Sequence, residues 1–250
     1  MQLELTGRVA AVTGSSAGIG FAIARTLARE GCSVILNGRD AGRLEAARTA
    51  TGAAAAVACD VAKEGGAAQF AKYLEDGYGR LDVLVCNVGS GRSVPAFQEN
   101  EAEWRRMMEI NLLSTTLAVA ACRKLLSASR GAIVCVSSIC GVEALGCPLA
   151  YAAAKAALNQ YVRSAARPLA REGVRITAVA PGNILFPGSV WERKLAEDRR
   201  GVEEMLAREV ALGRLGSAEE IADWVAFLAS PRAAFATGSV HVVDGGQVRS

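Results

Sequence analysis

The stretch "RVAAVTGSSAGIG" at residues 8–20 decides the fold, because it joins a short apolar run to a glycine-rich turn. The helical pattern "FAIARTLAREG" follows at once, at residues 21–31. A strand, a turn and a helix start in this order bring unpaired backbone N–H groups and the positive end of a helix dipole to one point, where an anion is expected. The glycine spacing, G-x-x-x-G-x-G, departs from the common G-x-G-x-x-G fingerprint, so the turn alone suits a tight strand–helix connection equally well.

Six more apolar runs follow, separated by longer amphipathic segments. Their short length and lack of period-two alternation are typical of strands buried on both faces and joined by crossover helices. The sequence predicts one α/β domain over residues 1–250: a doubly wound, Rossmann-like, seven-stranded and mainly parallel sheet with helices on both faces. Residues 186–212 interrupt this rhythm and are predicted to form a lid over a substrate. Pro168 predicts a kink or an early end of the helix that begins near Tyr151. The six runs are 33–38, 54–60, 81–87, 131–138, 174–182 and 239–246.

Composition excludes several classes of protein. The formal net charge is only +3 and the basic residues are scattered, so no cationic surface for nucleic acid is expected. No apolar stretch reaches the length of a membrane span, and the first residues lack the pattern of a secretory signal peptide. We expect a cytoplasmic protein that binds neither nucleic acid nor a membrane.

The cysteines and the histidine offer little for a disulfide framework or a metal site. The seven cysteines include no C-x-x-C pair, which favours free thiols. His241 is the single histidine, so no metal site and no serine–histidine triad is expected. A half-buried position on the last strand is the favoured interpretation of His241.

The second run ends in "VILNGRD", residues 34–40, at the place where nicotinamide-binding sheets distinguish their two cofactors. NAD-binding sheets usually carry a carboxylate at this strand tip, whereas a nearby arginine accommodates the 2′-phosphate of NADP. Gly38 and Arg39 occupy the tip, so charge favours NADP over NAD. The Asp40 carboxylate, one residue later, is the argument for NAD, which stays the less favoured cofactor. The position of Asp40 suits the N-cap of the next helix better.

Further motifs occur in the order of one known family. Together with T-G-x-x-x-G-I-G at 13–20, they make nearly the whole chain resemble the short-chain dehydrogenase/reductase family, in particular its 3-oxoacyl-carrier-protein reductase members. Family members are commonly tetramers, so the resemblance also implies a homotetramer. The motifs are N-x-G at 87–89, Asn111 in "NLLST", Ser138 thirteen residues before Tyr151, "YAAAK" at 151–155, and Pro-Gly at 181–182.

The resemblance implies a role for each matching residue. Val88 and Phe186 depart from the family, which usually has Ala and often Thr there; for Phe186 the backbone or Ser189 would then have to contact the nicotinamide amide. The catalytic residues implied are Asn111, Ser138, Tyr151 and Lys155. The cofactor-binding residues implied are Gly14, Ser15, Ser16, Gly18, Ile19, Gly20, Arg39, Asp60, Val61, Asn87, Gly89, Tyr151, Lys155, Pro181, Gly182 and Ile184.

Tyr151 and Lys155 are four residues apart, so a helix places both on one face. A phenol titrates near pH ~10, and a general acid works best near the operating pH, so its pKa must fall by about three units, or ~4 kcal/mol. An ammonium about 4 Å away supplies an interaction of that size at an effective dielectric of ~20. We expect Lys155 to lower the pKa of Tyr151, which then protonates a carbonyl oxygen held by Ser138. In the same interpretation Lys155 also binds the nicotinamide ribose, and Asn111 links Lys155 to solvent through a water relay.

These residues favour hydride transfer between NADP(H) and a ketone or secondary alcohol, in the direction of carbonyl reduction. NAD-dependent alcohol dehydrogenation, and lyase or isomerase chemistry without net cofactor turnover, are the alternatives. The expected pocket is mostly apolar, which favours a medium-sized ketone or alcohol. A substrate carboxylate received by Arg92 or Arg193, and an acyl-carrier thioester, are the alternatives. Cys140 and Cys147 flank this site and are interpreted as small buried hydrophobes. The other expected pocket residues are 89–93, Ile139, Glu143, Leu145, Asn183, Phe186, Val190 and Trp191.

Overall fold

The computed structural model describes residues 2–249, and its strands form one large and one small parallel sheet. The large sheet has seven strands, as predicted, in the order β3-β2-β1-β4-β5-β6-β9. The order reverses between β1 and β4, and in open α/β sheets such a reversal opens a crevice at the carboxyl ends of the strands. The strands are β1 (Val9–Val12), β2 (Ser33–Gly38), β3 (Ala55–Ala58), β4 (Val83–Cys86), β5 (Ala132–Val136), β6 (Arg175–Pro181), β7 (Ile184–Leu185), β8 (Gly216–Ser217) and β9 (Val240–Val243).

Helices cover both faces of the large sheet, which confirms the doubly wound prediction. The longest one, α6, ends at Ala170, two residues after Pro168 rather than before it, so the early end expected there does not occur. The helices are α1 (Gly18–Arg29), α2 (Ala41–Thr51), α3 (Glu64–Tyr78), α4 (Glu101–Met108), α5 (Ser114–Ser129), α6 (Leu149–Ala170), α7 (Val190–Glu197), α8 (Arg199–Glu209) and α9 (Ala218–Ala229).

Two hydrophobic cores lie on opposite faces of the large sheet. In β1, Ala10 and Val12 pack with α1 and α9, whereas Val9 and Ala11 pack with α3, α5 and α6. Successive side chains of a strand point to opposite faces, so a strand covered on both sides must be apolar at every position. This is why the strand sequences run as unbroken apolar segments.

The segment predicted as a lid forms a small unit of its own beside the large sheet. It contains α7 and α8 and lies between β7 and β8, which pair as a two-stranded parallel sheet. Val202, Leu206 and Val210 form its separate hydrophobic cluster, with Trp191 packed against them. The short strands that flank the segment are absent from the predicted architecture.

The prediction of free thiols is wrong for Cys140 and Cys147, which form a disulfide. A 3₁₀ turn at Ile139–Gly141 reverses the chain after β5, and the loop then returns toward the start of α6. Residues seven apart thereby come together, a contact that depends on loop conformation and not on C-x-x-C spacing. The other five cysteines are free and buried, as expected.

Membrane spans and metal clusters are both without candidates over residues 2–249. No helix in this range combines the length and the apolar content required to cross a bilayer. The same range contains no group of three His, Cys, Asp or Glu side chains placed to hold a metal ion.

Asp82 ties two strands together at the end of the sheet opposite the crevice. Its buried carboxylate accepts hydrogen bonds from the Val9 N–H (2.9 Å), from Arg8 (3.0 Å) and from Arg80 (2.6 and 3.0 Å). Burial alone would raise the pKa of Asp82, but the hydrogen bonds together outweigh it and hold that pKa below its ordinary value of 3.8. The carboxylate therefore stabilises the fold in its ionised form.

Asp82→Asn is expected to lower the free energy of unfolding at pH 7 by about 1–3 kcal/mol, because the buried Val9 N–H and two partly exposed guanidinium groups lose a charged acceptor. A depressed folded-state pKa gives stability that is full above the ordinary value and is lost as the pH falls through the folded-state value. The difference in the free energy of unfolding between the wild-type protein and Asp82→Asn, measured by urea titration, should therefore shrink below about pH 4. Glu45→Gln, which breaks an exposed pair with Arg48, is the control and should change little. A gap that stays constant down to pH ~2 would contradict this assignment.

Candidate active site

The glycine-rich turn between β1 and α1 presents backbone groups to the crevice. Gly14 and Gly18 have left-handed φ angles of +62° and +60°, which side chains other than glycine rarely adopt. The N-cap residue Ala17 has no side chain that could accept a hydrogen bond from the first turn of α1. The free N–H groups and the positive end of the helix dipole are therefore left for an anion.

Thr13 and Asn87 fix the shape of this turn. The Thr13 hydroxyl accepts a hydrogen bond from the Asn87 N–H at 3.0 Å. The Asn87 side-chain amide donates to the carbonyls of Thr13 (3.1 Å) and Gly14 (2.9 Å). Asn87 therefore couples the turn after β1 to the end of β4, and the cofactor contact implied for it stays a prediction.

Ser15 and Gly20 have structural roles in the turn, and the cofactor contacts implied for them stay a prediction. Ser15 is fully buried, and its hydroxyl donates to the Val12 carbonyl (2.8 Å) and accepts from the Asn37 N–H (3.0 Å). A Cβ on Gly20 would lie within 2.5 Å of the Gly14 carbonyl oxygen and would also collide with the Asn87 amide. Both residues therefore hold α1 against the sheet from behind the turn.

Ser138 and Tyr151 meet at the carboxyl edge of the sheet, at the end of β5 and in the first turn of α6. The Ser138 hydroxyl accepts a hydrogen bond from the Cys140 N–H at 3.1 Å. Burial raises the pKa of Tyr151, and a hydrogen bond with Ser138 lowers it by less. Among the protein's own groups burial dominates, so the decrease in the pKa of Tyr151 expected from Lys155 is not seen.

Lys155 lies one turn further along α6 and is 3% exposed. Its Nζ donates a hydrogen bond to the Val136 carbonyl at 2.9 Å. A Cβ on Gly89 would lie only 3.1 Å from this Nζ, so the ammonium sits directly beneath the Gly89 backbone. Burial lowers the pKa of Lys155 to about 8, so at pH 7 most of the population still carries the charge.

Asn111 lies in a π-helical turn, Glu109–Leu113, between α4 and α5. Such turns interrupt the regular hydrogen-bond ladder and often mark functional sites. The side-chain amide of Asn111 donates to the carbonyls of Ser90 (3.1 Å) and Met107 (3.1 Å), and its oxygen accepts from the Ser90 N–H (3.0 Å). Asn111 thus holds the loop that covers Lys155, while the water relay stays a prediction.

These residues open onto a cleft of about 400 Å³ at the crevice. The predicted catalytic residues Ser138, Tyr151 and Lys155 all line it, together with residues from the glycine turn and from the lid. Its predicted cofactor residues are Gly14, Gly18, Ile19, Asn87, Gly89, Pro181, Gly182 and Ile184. Seven predicted site residues are not part of its lining: Ser15, Ser16, Gly20, Arg39, Asp60, Val61 and Asn111.

Arg39 and Asp60 lie further along the same sheet edge, beyond β2 and β3. Arg39 is exposed at the strand tip. Asp40 accepts a hydrogen bond from the Arg43 N–H at 2.9 Å and caps α2, which confirms the N-cap interpretation. Asp60 accepts from the Ala62 N–H at 3.1 Å and precedes the buried Val61. Arg39 and Asp40 are both exposed at the tip of β2, and one oxygen of the Asp40 carboxylate is engaged in the cap of α2.

Phe186 joins the lid to the glycine turn. Its ring stands so close to Gly18 that an added Cβ there would lie 2.8 Å from ring atom Cε2. The Ser189 hydroxyl accepts from the N–H groups of Phe186 (3.3 Å) and Glu192 (3.0 Å) and so caps α7. Ser189 also lines the cleft, so both residues named for the nicotinamide amide lie on its wall.

Some lining residues escaped the sequence analysis, and some expected ones lie elsewhere. Ala17, Val136 and Ser137 line the cleft, and their position beside Gly18 and Ser138 was the available signal. Ile139 is buried at 3% exposure. Asn183 lines a separate cavity of about 320 Å³ with Leu212 and Trp224, among others.

Comparisons with known proteins match almost the whole chain. A family model described as enoyl-(acyl carrier protein) reductase matches residues 14–247. The chain is 39% identical over 244 residues to cis-4-hydroxycyclohexanecarboxylate dehydrogenase from Sinomonas cyclohexanicum, covering 96% of each protein. It is 35% identical over 246 residues to the 3-oxoacyl-[acyl-carrier-protein] reductase of Escherichia coli, covering 98% of each. These matches include the sheet, the site and the lid together.

A solved structure shares the same fold over its full length. L-Sorbose reductase from Gluconobacter frateurii, in complex with NADPH and L-sorbose, superimposes with a TM-score of 0.91 and is 30% identical, with 100% of both chains covered. The similarity therefore extends to the two short strands and to the segment between them.

The structural role assigned to Gly20 predicts that Gly20→Ala destabilises the protein by about 1–3 kcal/mol, because the new methyl group overpacks a fixed backbone carbonyl. Gly77→Ala in α3 is the matched control: nothing lies within 4 Å of its added Cβ, and Ala favours a helix by up to ~1 kcal/mol. Thermal unfolding of both variants measures the difference. Equal transition temperatures for the two variants would show that Gly20 is not tightly packed.

Proposed function

This chain belongs to the short-chain dehydrogenase/reductase family, and we propose that it transfers a hydride between NADP(H) and a ketone or secondary alcohol, normally reducing the carbonyl. The observation that carries the proposal is the meeting of Ser138, Tyr151 and the buried Lys155 in one cleft with the glycine turn. A general acid, an oxygen-binding hydroxyl and an anion-binding helix start are the groups that this reaction requires.

The residues of the cleft suit a dinucleotide. The uncapped first turn of α1 would bind the pyrophosphate through backbone N–H groups, at a turn where Gly14 and Gly18 leave no side chain in the way. The Lys155 ammonium donates to one protein carbonyl and has two further N–H groups for ribose hydroxyls. Bound NADPH would supply the hydride. Pro181 and Gly182 would form the wall beside its reacting ring.

The protein's own contribution is to hold an oxygen and move a proton. Ser138 would donate its hydroxyl hydrogen to the substrate oxygen, since one lone pair of that hydroxyl already accepts the Cys140 N–H. Tyr151 would then give its phenolic proton to the same oxygen as the carbonyl is reduced. The raised pKa keeps Tyr151 protonated at neutral pH but also makes it a weaker acid than the reaction requires. The Lys155 charge would stabilise the phenolate that remains.

We propose NADP as the cofactor on the basis of Arg39. Its guanidinium is exposed beyond β2, where an adenosine 2′-phosphate would lie, and the neighbouring Asp40 carboxylate is engaged in capping α2. The neighbour from Gluconobacter frateurii was solved with NADPH. NAD-dependent alcohol dehydrogenation is the runner-up, and lyase or isomerase chemistry would show no net cofactor turnover.

The substrate is proposed at the level of class, a medium-sized carbonyl compound. The residues recorded along the cleft include no carboxylate, so a substrate with a negative group elsewhere would meet no repulsion there. The relatives act on a hydroxycyclohexanecarboxylate and on acyl-carrier thioesters, and the structural neighbour on a sugar. The lid residues Val190 and Trp191 supply an apolar wall that suits a hydrocarbon portion.

The proposal includes a cytoplasmic homotetramer. The strand β9 lies at the edge of the large sheet, where unpaired backbone groups favour association with another chain. Val242 on this strand and Trp224 on the adjacent α9 are 41% and 42% exposed. An apolar edge of this kind supports contact with a second copy.

Tyr151→Phe tests the proposed proton donor. Removing the hydroxyl should reduce kcat for ketone reduction by about 10²–10⁴-fold, because general acid catalysis is lost while the ring and its packing remain. Oxidation of NADPH and NADH is followed with a panel of ketones, and NADPH binding by fluorescence serves as the control for an intact cleft. Unchanged turnover by this variant would refute the mechanism, and a folded parent protein that reduces no ketone would refute the function.

Arg39→Asp tests the choice of cofactor. Replacing the guanidinium by a carboxylate removes a charged hydrogen bond to the 2′-phosphate and adds repulsion, so the ratio of kcat/KM for NADPH over NADH should fall at least about tenfold. Arg39→Lys is the matched control, since it keeps the charge and should keep the preference for NADPH. If the ratio stays unchanged in Arg39→Asp, the charge argument is wrong even if the enzyme reduces ketones.

A further inference from the structure

Thiol chemistry in this protein is confined to one cysteine pair. Cys32, Cys59, Cys86 and Cys122 are buried, and burial raises the pKa of Cys32 and Cys122 to about 12 and that of Cys59 to about 11. Buried thiols with raised pKa values react slowly, because the thiolate is the reactive form. Cys135 is also buried. The two partly exposed cysteines, Cys140 and Cys147, are the two that form the disulfide.

The disulfide joins the two segments that carry Ser138 and Tyr151. Cys140 lies two residues after Ser138, and its N–H donates to the Ser138 hydroxyl at 3.1 Å. Cys147 directly precedes Pro148, the N-cap of α6, and lies four residues before Tyr151. The Ser138 hydroxyl acts to lower the pKa of Tyr151, although burial raises that pKa by more. The covalent link closes residues 140–147 into a ring, with Ser138 two residues before it and Tyr151 four residues after it.

The two halves of this loop are held by different means. Its first half is anchored to α6, because the Asn159 amide donates to the Gly141 carbonyl at 2.9 Å and its oxygen accepts from Ser137 at 2.5 Å. Gly141 also packs against the Lys155 backbone, so closely that an added Cβ would lie 2.5 Å from the Lys155 carbonyl carbon. Residues 144–147 make no backbone hydrogen bond to the rest of the described chain. The disulfide is therefore the main tether of this second half.

We propose that Cys140 and Cys147 are thiol-reversible positioning residues for the proton transfer from Tyr151. This inference rests on the proposed function. With the bond formed, the loop end before α6 is fixed relative to Ser138. With the bond broken, residues 144–147 are released, and Cys140, whose N–H holds the Ser138 hydroxyl, loses its covalent tie to the start of α6. A displaced Ser138 hydroxyl would lower the pKa of Tyr151 by less, so Tyr151 would be a weaker acid.

The chemical step is a two-electron reduction by thiols. The reductant is two molecules of a low-molecular-weight thiol or one molecule of a dithiol. It loses two electrons and two protons in total and becomes a disulfide, while the Cys140–Cys147 bond takes them up and breaks to give two thiols. A disulfide oxidant reverses the step. The five buried cysteines take no part, since they are inaccessible to the thiol.

The test begins with the state of the sulfurs. Protein purified without reductant is denatured, alkylated and analysed by mass spectrometry, which should show five labelled cysteines out of seven and an intact Cys140–Cys147 link. Treatment with a dithiol should add label at Cys140 and Cys147. Finding both of them already labelled before reduction would overturn the proposal.

Kinetics then distinguish positioning from mere packing. Reduction of the native enzyme should lower kcat about tenfold or more, because small displacements of catalytic groups are costly, and should move the pH profile of kcat alkaline. The Cys140→Ser, Cys147→Ser double variant is the matched control: it should behave as the reduced enzyme does and ignore the dithiol. Identical kcat, KM and pH profile in the two redox states would overturn the proposal.

A readout without turnover separates this inference from the proposed function. The pKa of Tyr151 is measured by ultraviolet titration of the protein against its Tyr151→Phe variant, in both redox states. A higher pKa after reduction supports the positioning role even if no ketone is reduced, in which case only the proposed function fails. An unchanged Tyr151 pKa overturns the positioning role even if ketones are reduced.

Discussion

The burial of the Lys155 ammonium is the constraint on which the rest of the site depends. A buried charge is costly unless it is hydrogen-bonded, and here the protein supplies one carbonyl, that of Val136, at 2.9 Å. The pKa of about 8 records the remaining cost. Two N–H groups of Lys155 are thereby left for a ligand, so the fold holds a partly satisfied charge in the same cleft as the uncapped start of α1.

Holding that charge in place requires the loop above it to be both thin and fixed. Gly89 makes the loop thin, since an added Cβ would lie 3.1 Å from the Lys155 Nζ. Asn111 makes it fixed through paired hydrogen bonds with Ser90. The π-helical turn orients the side-chain amide of Asn111 toward this loop, and the chain stays helical on both sides of it, in α4 and α5. A loop, a helix irregularity and a buried cation therefore form one unit.

Sequence reasoning predicted the features that depend on local pattern, such as strands and helix faces. It missed the features that depend on tertiary contacts between distant or looping segments. The unbroken apolar runs predicted all seven strands of the large sheet, and helix geometry placed Tyr151 and Lys155 on one face, because both rest on fixed periodicities. The Cys140–Cys147 disulfide depends on how a loop returns, which spacing does not reveal. For Tyr151 the sequence argument weighs the charge of Lys155 and leaves out burial; among the protein's own groups burial is the larger effect and raises the pKa of Tyr151.

The residues proposed to do the chemistry and the segments proposed to select the substrate are stabilised by different forces. Ser138 and Lys155 stand on strand ends and a helix whose positions follow from the two large cores, so they share the stability of the whole sheet. The lid has its own small cluster around Val202 and Leu206, and the loop before α6 has a disulfide. Such elements open at lower free energy than the core does, and their sequences change at little cost to the sheet. A family with one chemistry and many substrates is the expected outcome of that division.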